Sequence, residues 1–221
     1  MKRAAEILSQ QRVRHLGRRG ETCRLATANE SRSSMAGRVR SFAGQAGRRR
    51  PVVCQIVGYK NRGKTTLIAA LIPILREQGF SVAVIKHDVH GFEADQPGTD
   101  TWLHREAGAE GVSITSNESS FVWESRSRRL KELISGFCSY DYVLVEGFKN
   151  EDFPKMVLVR EHTDLELIGG LKNVRAAVCW PAIRASGEFD TLACPVFEIG
   201  DLHAVAGFLQ QQRTLLSNYN I

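Results

Sequence analysis

Hydrophobic residues in this chain form short runs separated by polar stretches that contain glycine. The run "PVVCQIV" (residues 51–57) is rich in β-branched side chains, which predicts a strand buried on both faces of a parallel sheet. The next apolar positions recur at three- and four-residue steps and predict a helix ending near Gly79. These positions are Leu67, Ile68, Leu71, Ile72 and Leu75.

The same alternation continues along the chain. Further strands are predicted at residues 81–87, 112–116 and 141–147, and in "KMVLVRE" and "VRAAVCW". Helices are predicted in "TWLHREAGAEG", "SRSRRLKELISGF" and "DLHAVAGFLQQQ", while "SFVWE" is a short apolar segment before the second of these. Because strands and helices alternate, we predict an α/β fold with a mostly parallel sheet and helices on both faces.

The residues between the first strand and the first helix, "GYKNRGKTT" (58–66), fit the pattern G-x-x-x-x-G-K-[ST]. A helix that begins near Gly63 has unpaired amide hydrogens and the positive end of its dipole at its first turn, which stabilise an anion. In this pattern Lys64 reaches the β- and γ-phosphates and the Thr65 hydroxyl binds Mg²⁺. A glycine turn that binds nothing is the alternative. The predicted phosphate-binding residues are Gly58, Asn61, Arg62, Gly63, Lys64, Thr65 and Thr66.

Ligands of open α/β sheets bind at the carboxyl ends of the strands, so the residues that follow each strand should converge on one crevice. Lys86 and His87 end the second strand and are expected to contact the nucleotide. Glu146 ends the strand "YVLV" and is predicted to bind Mg²⁺ or to orient water, which makes Glu146 and Lys64 the catalytic candidates. Asp100 is a candidate that a γ-phosphate could order, although a solvated carboxylate fits its polar loop (88–101) nearly as well.

The net charge of +6 is unevenly distributed. Residues 1–50 contain 13 Lys/Arg and 3 Asp/Glu, so the remaining residues are net negative by 4. The first fifty residues lack an apolar period and are predicted to be a poorly ordered basic extension, followed by one nucleotide-binding domain at 51–221. This extension could be a tail for nucleic acid or acidic partners, a targeting peptide, or residues upstream of the true start, for which Met35 is one candidate.

Other sequence features exclude several classes of protein. There is no run of eighteen apolar residues, so we predict no membrane association. Five cysteines without a C-x-x-C pair argue against a disulfide framework and favour the reducing cytoplasm. His87, Asp88 and His90 are close in sequence but lack a third well-spaced ligand for a zinc-type site.

Five motifs occur in the order "GYKNRGKTT", "IKHDVHGF", "PGTDTWLHREAGA", "VLVEGFK" and "PKMVLVR", and together they resemble the MobB family of accessory proteins in molybdopterin-guanine dinucleotide biosynthesis. The resemblance runs from about Val52 to about Phe208. It implies a P-loop NTPase fold with a Rossmann-like three-layer arrangement, a homodimer, and weak hydrolysis of GTP with Mg²⁺. It also implies partnership with a MobA-type molybdopterin guanylyltransferase that acts on molybdopterin or its molybdenum form.

Two departures from the family pattern affect what the resemblance implies. Similar members carry serine at the position of Arg62, so this long cation could contact the phosphates or hinder the loop, while its backbone amide still serves the site. The chain also has no N-K-x-D sequence for reading guanine, because "PAIRAS" follows the strand "VRAAVCW". The preference for guanine over adenine therefore rests on the resemblance alone.

Two other functions remain open at this point. A P-loop kinase for a small metabolite would use the same loop, as would a metallochaperone-type GTPase. The net negative charge of residues 51–221 does not favour nucleic acid as a partner, since the basic excess lies in a segment without interleaved aromatic residues.

Overall fold

A computed structural model describes residues 50–185, 187, 189 and 192–213. The predicted basic extension lies almost entirely outside these residues, so its role remains a prediction. The described chain contains eight strands. They are β1 (Val52–Val57), β2 (Val82–Lys86), β3 (Gly111–Thr115), β4 (Ser120–Glu124), β5 (Tyr142–Glu146), β6 (Lys155–Val159), β7 (Val174–Cys179) and β8 (Val196–Glu198).

Six of these strands form one parallel sheet in the order β2-β5-β1-β6-β7-β8. Six α-helices connect or flank the strands of the described chain, and a 3₁₀ turn (His162–Leu165) follows β6. The helices are α1 (Lys64–Glu77), α2 (Asp100–Glu106), α3 (Leu130–Gly136), α4 (Glu166–Gly170), α5 (Pro181–Arg184) and α6 (Leu202–Gln211). The predicted α/β fold with a parallel sheet is confirmed.

The sheet is covered on both faces, which gives three layers. Val52, Cys54 and Ile56 point to one face and pack in a cluster that includes buried residues of α1 and α6. Val53 and Val57 point to the other face, where α3 and the short helices α4 and α5 contribute buried residues. Every residue of β1 is buried, as its nearly unbroken apolar sequence predicts for a central parallel strand.

The segment predicted as a third strand does not join the parallel sheet. Among the described residues, β3 pairs only with β4, in an antiparallel hairpin. The apolar segment "SFVWE" is therefore a strand in its own right. Periodicity identifies an extended segment but does not choose its partner, because pairing depends on which edges meet in the folded chain. α2 packs on β3, and the hairpin with α2 forms the insertion between β2 and α3.

Strand register brings three chain segments to the same edge of the sheet. Ile56 of β1 lies beside Glu146 of β5, and Glu146 lies beside Lys86 of β2. The segments that follow these strands therefore emerge together, as the strand-end rule predicts. Asp141 precedes β5 at the opposite edge, where it accepts hydrogen bonds from the backbone N–H and hydroxyl of Ser81 at 2.9 and 2.8 Å.

Candidate functional site

The loop after β1 has the backbone shape of an anion-binding site. Gly63 precedes α1 with φ 96°, a left-handed conformation that favours glycine. A Cβ on Gly63 would lie 3.0 Å from Ile199 Cδ1, so a larger residue would also require that side chain to shift by a few tenths of an ångström. α1 begins without a side-chain cap and without an acidic residue in its first turn, so its positive end is available to a negatively charged ligand.

Lys64 lies at the first position of α1 and folds back over the loop. Its Nζ donates hydrogen bonds to the carbonyl oxygens of Gly58 at 3.0 Å and Tyr59 at 2.7 Å. Burial lowers the pKa of the Lys64 amine, and the charge of Glu146 partly opposes this shift. The side chain is thus held over the loop, within the cavity that the loop lines.

Thr65 and Glu146 meet at the centre of the site. The Thr65 hydroxyl donates to the Glu146 carboxylate, whose two oxygens lie 2.9 and 3.0 Å from Thr65 Oγ1. Lys86 Nζ lies 3.8 Å from the same carboxylate. A hydroxyl and a carboxylate side by side provide the oxygen ligands that Mg²⁺ prefers, so Thr65 and Glu146 fit the group they were predicted to hold.

These residues line a cavity of about 1080 Å³, just above the ~300–1,000 Å³ typical of small-molecule sites. His87 and Phe148 stack in its wall with ring centroids 4.4 Å apart. Gly147, at φ 91°, leaves room for this wall, because a Cβ there would lie 3.3 Å from the Cβ of His87. Lys149, also in the lining, lies 5.9 Å from the ring centroid of Tyr59.

Two buried polar residues support the loop that follows Glu146. Gln55 of β1 donates from Nε2 to the carbonyl oxygens of Gly147 at 3.3 Å and Phe148 at 2.7 Å. The buried Lys155 of β6 donates to the carbonyl oxygens of Glu151 and Phe153. Sequence reasoning did not identify either residue, although a glutamine inside an otherwise apolar strand is a visible signal.

Arg160 and Trp180 also line the cavity and were missed by the sequence analysis. Arg160 donates to the carbonyl oxygen of Asn61 at 3.1 Å, and Trp180 Nε1 donates to that of Arg62 at 3.2 Å. Both residues come directly after a strand, Arg160 after β6 and Trp180 after β7. Applying the strand-end rule to every strand would have found them.

The structure brings together nearly all the residues predicted for the site. The cavity lining includes Gly58, Asn61, Arg62, Gly63, Lys64, Thr65, Thr66, Lys86, His87 and Glu146. The Arg62 side chain is engaged by two carboxylates, Glu161 and Asp164. Asp100 does not line the cavity: it is the first residue of α2, which packs on the hairpin outside the parallel sheet.

Two further expectations concern the described residues. They contain no cluster of three or more His, Cys, Asp or Glu side chains arranged to hold a metal ion. In the same part of the chain, no helix has the length and apolar character needed to cross a membrane.

Comparison with known proteins gives a family for this chain. Residues 53–180 match the MobB family, described as molybdopterin guanine dinucleotide synthesis protein B. A molybdopterin-guanine dinucleotide biosynthesis adapter protein from Haemophilus influenzae is 37% identical over 48% of this chain and 62% of its own length. A probable adapter protein of the same description from Bacillus subtilis is 34% identical over 73% of this chain and 92% of its own length.

Solved structures agree with these matches. The crystal structure of Bacillus subtilis MobB superposes with a TM-score of 0.60 at 31% identity and covers 72% of this chain and 96% of that one. A MobB homolog from Bacillus stearothermophilus gives a TM-score of 0.56 at 28% identity, over 74% of this chain and 98% of that one. With the fold, the phosphate-binding loop and more than half of the sequence in agreement, the chain belongs to the MobB family.

Proposed function

We propose that this chain is a GTP-binding adapter in molybdopterin-guanine dinucleotide biosynthesis, where it assists the attachment of GMP to molybdopterin. The observation that carries the proposal is the contact between Thr65 and Glu146 at the positive end of α1. Every residue that lines the cavity also lies within the 53–180 range that matches the family.

Different residues of the described site would bind different parts of a nucleoside triphosphate. The amides of the loop at 58–63 and the first turn of α1 would bind phosphate oxygens, and Lys64 would exchange its two carbonyl partners for phosphate. Thr65 and Glu146 would hold Mg²⁺, which supplies positive charge against the phosphates when bound. Lys86 and His87, which line the cavity, would lie beside the bound phosphates.

The pathway in this proposal is supported by the relatives. The similar proteins from Haemophilus influenzae and Bacillus subtilis carry names that place them as adapters in molybdopterin-guanine dinucleotide biosynthesis. The guanine preference comes from the same likeness, and we propose GTP as the nucleotide on that basis. We also propose the cytoplasm as the location, on the sequence evidence of five cysteines without a C-x-x-C pair.

The nucleotide is tested by measuring GTP and ATP binding with Mg²⁺ by calorimetry. Wild type should bind GTP more tightly than ATP. Lys64→Ala should weaken GTP binding roughly 10- to 150-fold, because hydrogen bonds to charged groups contribute ~1.5–3 kcal/mol each. Lys131→Ala, which removes the same charge from an exposed position on α3, is the matched control. Equal affinity for the two nucleotides would refute the guanine preference.

The partner is tested by co-purification with a MobA-type molybdopterin guanylyltransferase, with and without GTP. We expect a complex that forms in the presence of GTP and contains molybdopterin or its molybdenum form, detected by mass spectrometry. Wild type should sediment as a homodimer. Absence of the enzyme from the eluate under both conditions would contradict the adapter role.

Hydrolysis of GTP by the isolated chain is expected to be slow, because the proposed role is accessory. Phosphate release over time with Mg²⁺ measures it, with Glu146→Gln as the comparison. A screen that found phosphate transfer to a small metabolite would favour the kinase alternative.

A further inference from the structure

The outer side of the phosphate-binding loop is tied to the corner after β6 by a charged network. The Arg62 guanidinium lies 3.0 Å from each carboxylate oxygen of Glu161, and its Nε lies 2.9 Å from Asp164 Oδ2. The Arg62 side chain is only 17% exposed and that of Asp164 is fully buried. Two carboxylates thus hold the arginine from the side of the 3₁₀ turn.

Asp164 is itself fixed by the backbone. Its Oδ2 accepts the amide hydrogens of Arg160 at 2.8 Å and Glu161 at 3.0 Å. A buried carboxylate with two backbone donors and one guanidinium partner is compensated in charge and restricted in position. It therefore provides a rigid anchor for Arg62. Because Asp164 is buried, water competes little with it for the Arg62 guanidinium.

The same corner holds two carbonyl groups of the loop. Arg160 donates to Asn61 O and Trp180 Nε1 donates to Arg62 O, while the Arg160 guanidinium lies 5.0 Å from the centroid of the Trp180 ring. Because a trans peptide is planar, a carbonyl turned outward turns the next amide hydrogen the opposite way. The amide hydrogens of Arg62 and Gly63 are thereby oriented away from the corner.

We propose that Arg62, Arg160, Glu161, Asp164 and Trp180 form a latch that holds the loop in its phosphate-binding shape before a ligand arrives. In this inference, which rests on the proposed function, Arg62 is a positioning residue that acts through the loop backbone and not by contact with phosphate. Preorganised amides bind an anion more tightly because the loop loses less conformational freedom on binding. The ligand class is a polyphosphate.

The direction in which polyphosphate affinity changes when Glu161 is removed distinguishes the latch from simple charge effects. Removing the negative charge of Glu161 close to the site should, by Coulomb attraction alone, strengthen polyphosphate binding. It should also strengthen binding if the released Arg62 is free to reach the phosphates. The latch predicts the opposite result, since loss of Glu161 loosens the loop.

The experiment measures binding of inorganic tripolyphosphate and of GTP to the full chain by calorimetry. Glu161→Ala should weaken both roughly two- to fivefold, in the range expected for a partly exposed ion pair. The matched control is Glu166→Ala, which removes the same charge from an exposed position at the start of α4 and should leave affinity unchanged. Asp164→Asn, measured where thermal unfolding shows it fully folded, should weaken binding roughly tenfold.

A double-mutant cycle provides the second measurement. In an Arg62→Ala background, Glu161→Ala should no longer weaken binding, because the bond it would break is already lost. Unchanged or tighter tripolyphosphate binding by Glu161→Ala in the wild-type background would overturn the latch, as would an equal loss in Glu166→Ala. If wild type binds tripolyphosphate but does not prefer GTP, the guanine proposal fails and the latch is still tested; if it binds neither, both fail.

Discussion

The parallel sheet and the β3–β4 hairpin are built from similar apolar segments but differ in how far their side chains are buried. All residues of β1, β5 and β6 are buried between two layers of helices. Neither hairpin strand has a buried residue, and Ile114 and Val122 are 54% and 62% exposed. α2, which packs on the hairpin, has no buried residue either.

This difference changes what the same chemical group does in each region. At the sheet edge, the Asp164 carboxylate is buried and accepts two backbone amides, so it fixes a loop. On the hairpin, the Glu124 carboxylate pairs with Arg128 and Arg126 on the surface, where solvent competes with both. A carboxylate–arginine pair thus positions a site only where the surrounding packing holds both partners.

The largest expected contrast is in local stability. Amide hydrogen exchange should be on the order of a thousandfold slower in β1 and β5 than in β3 and β4, because the hairpin can open without unfolding the core. Mass spectrometry after timed labelling measures both regions in one sample. Equal protection would break the comparison and show that the exposed apolar side chains of the hairpin are covered in solution.

Truncating the two carboxylates should affect stability very differently. Asp164→Ala leaves the amides of Arg160 and Glu161 without their buried acceptor and should lower the free energy of unfolding by about 3 kcal/mol. Glu124→Ala removes a partly exposed side chain whose ion pairs are screened by solvent, so it should lower the urea midpoint much less. Urea denaturation followed by circular dichroism compares the two variants, and similar midpoints would contradict the distinction between the regions.

Two threonines provide a smaller contrast. Thr65→Ala removes a proposed Mg²⁺ ligand and should weaken Mg²⁺-dependent GTP binding roughly tenfold, with less effect when the metal is chelated. Thr115→Ala removes a hydroxyl that bonds Ser120 Oγ at 2.8 Å on the hairpin, and GTP binding should not change. Calorimetry with Mg²⁺ and with EDTA tests both, and an equal loss of affinity in the two media would argue against the metal role of Thr65.

The smallest effect concerns titration on the hairpin. Hydrogen bonds from Arg128, followed by those from Arg126, lower the pKa of Glu124 from its ordinary 4.5 to about 2. A depressed carboxylate pKa stabilises the folded state above the ordinary value, and this contribution is lost as the pH falls from 4.5 towards 2. Carbon NMR of the Glu124 carboxyl group measures it, and Arg128→Ala should return the midpoint towards 4.5.

The sequence predicted the central features of the fold well. The first strand, the glycine loop and the first helix are set by neighbours in the chain, and their boundaries agree with β1 and α1 to within a few residues. Placement of Glu146 beside Lys86 followed from the rule that parallel strands share a carboxyl edge. The pairing of the hairpin was not predicted, because a strand pattern does not state which strand it will pair with. Asp100 was misplaced for the same reason, since it begins α2, which packs on this hairpin and not on the parallel sheet.

By itself, the sequence determined the phosphate-binding loop, the alternation of strands and helices, and the edge at which the site forms, since these depend on periodicity and local backbone geometry. Only the tertiary structure decided the partners of Arg62, which lie 99 and 102 residues further along the chain. It also decided that Trp180 Nε1 donates a hydrogen bond to the Arg62 carbonyl, which lies 118 residues earlier in the chain. Such contacts exist because strand order brings β6 and β7 beside the loop, and strand order arises from the packing of the whole sheet.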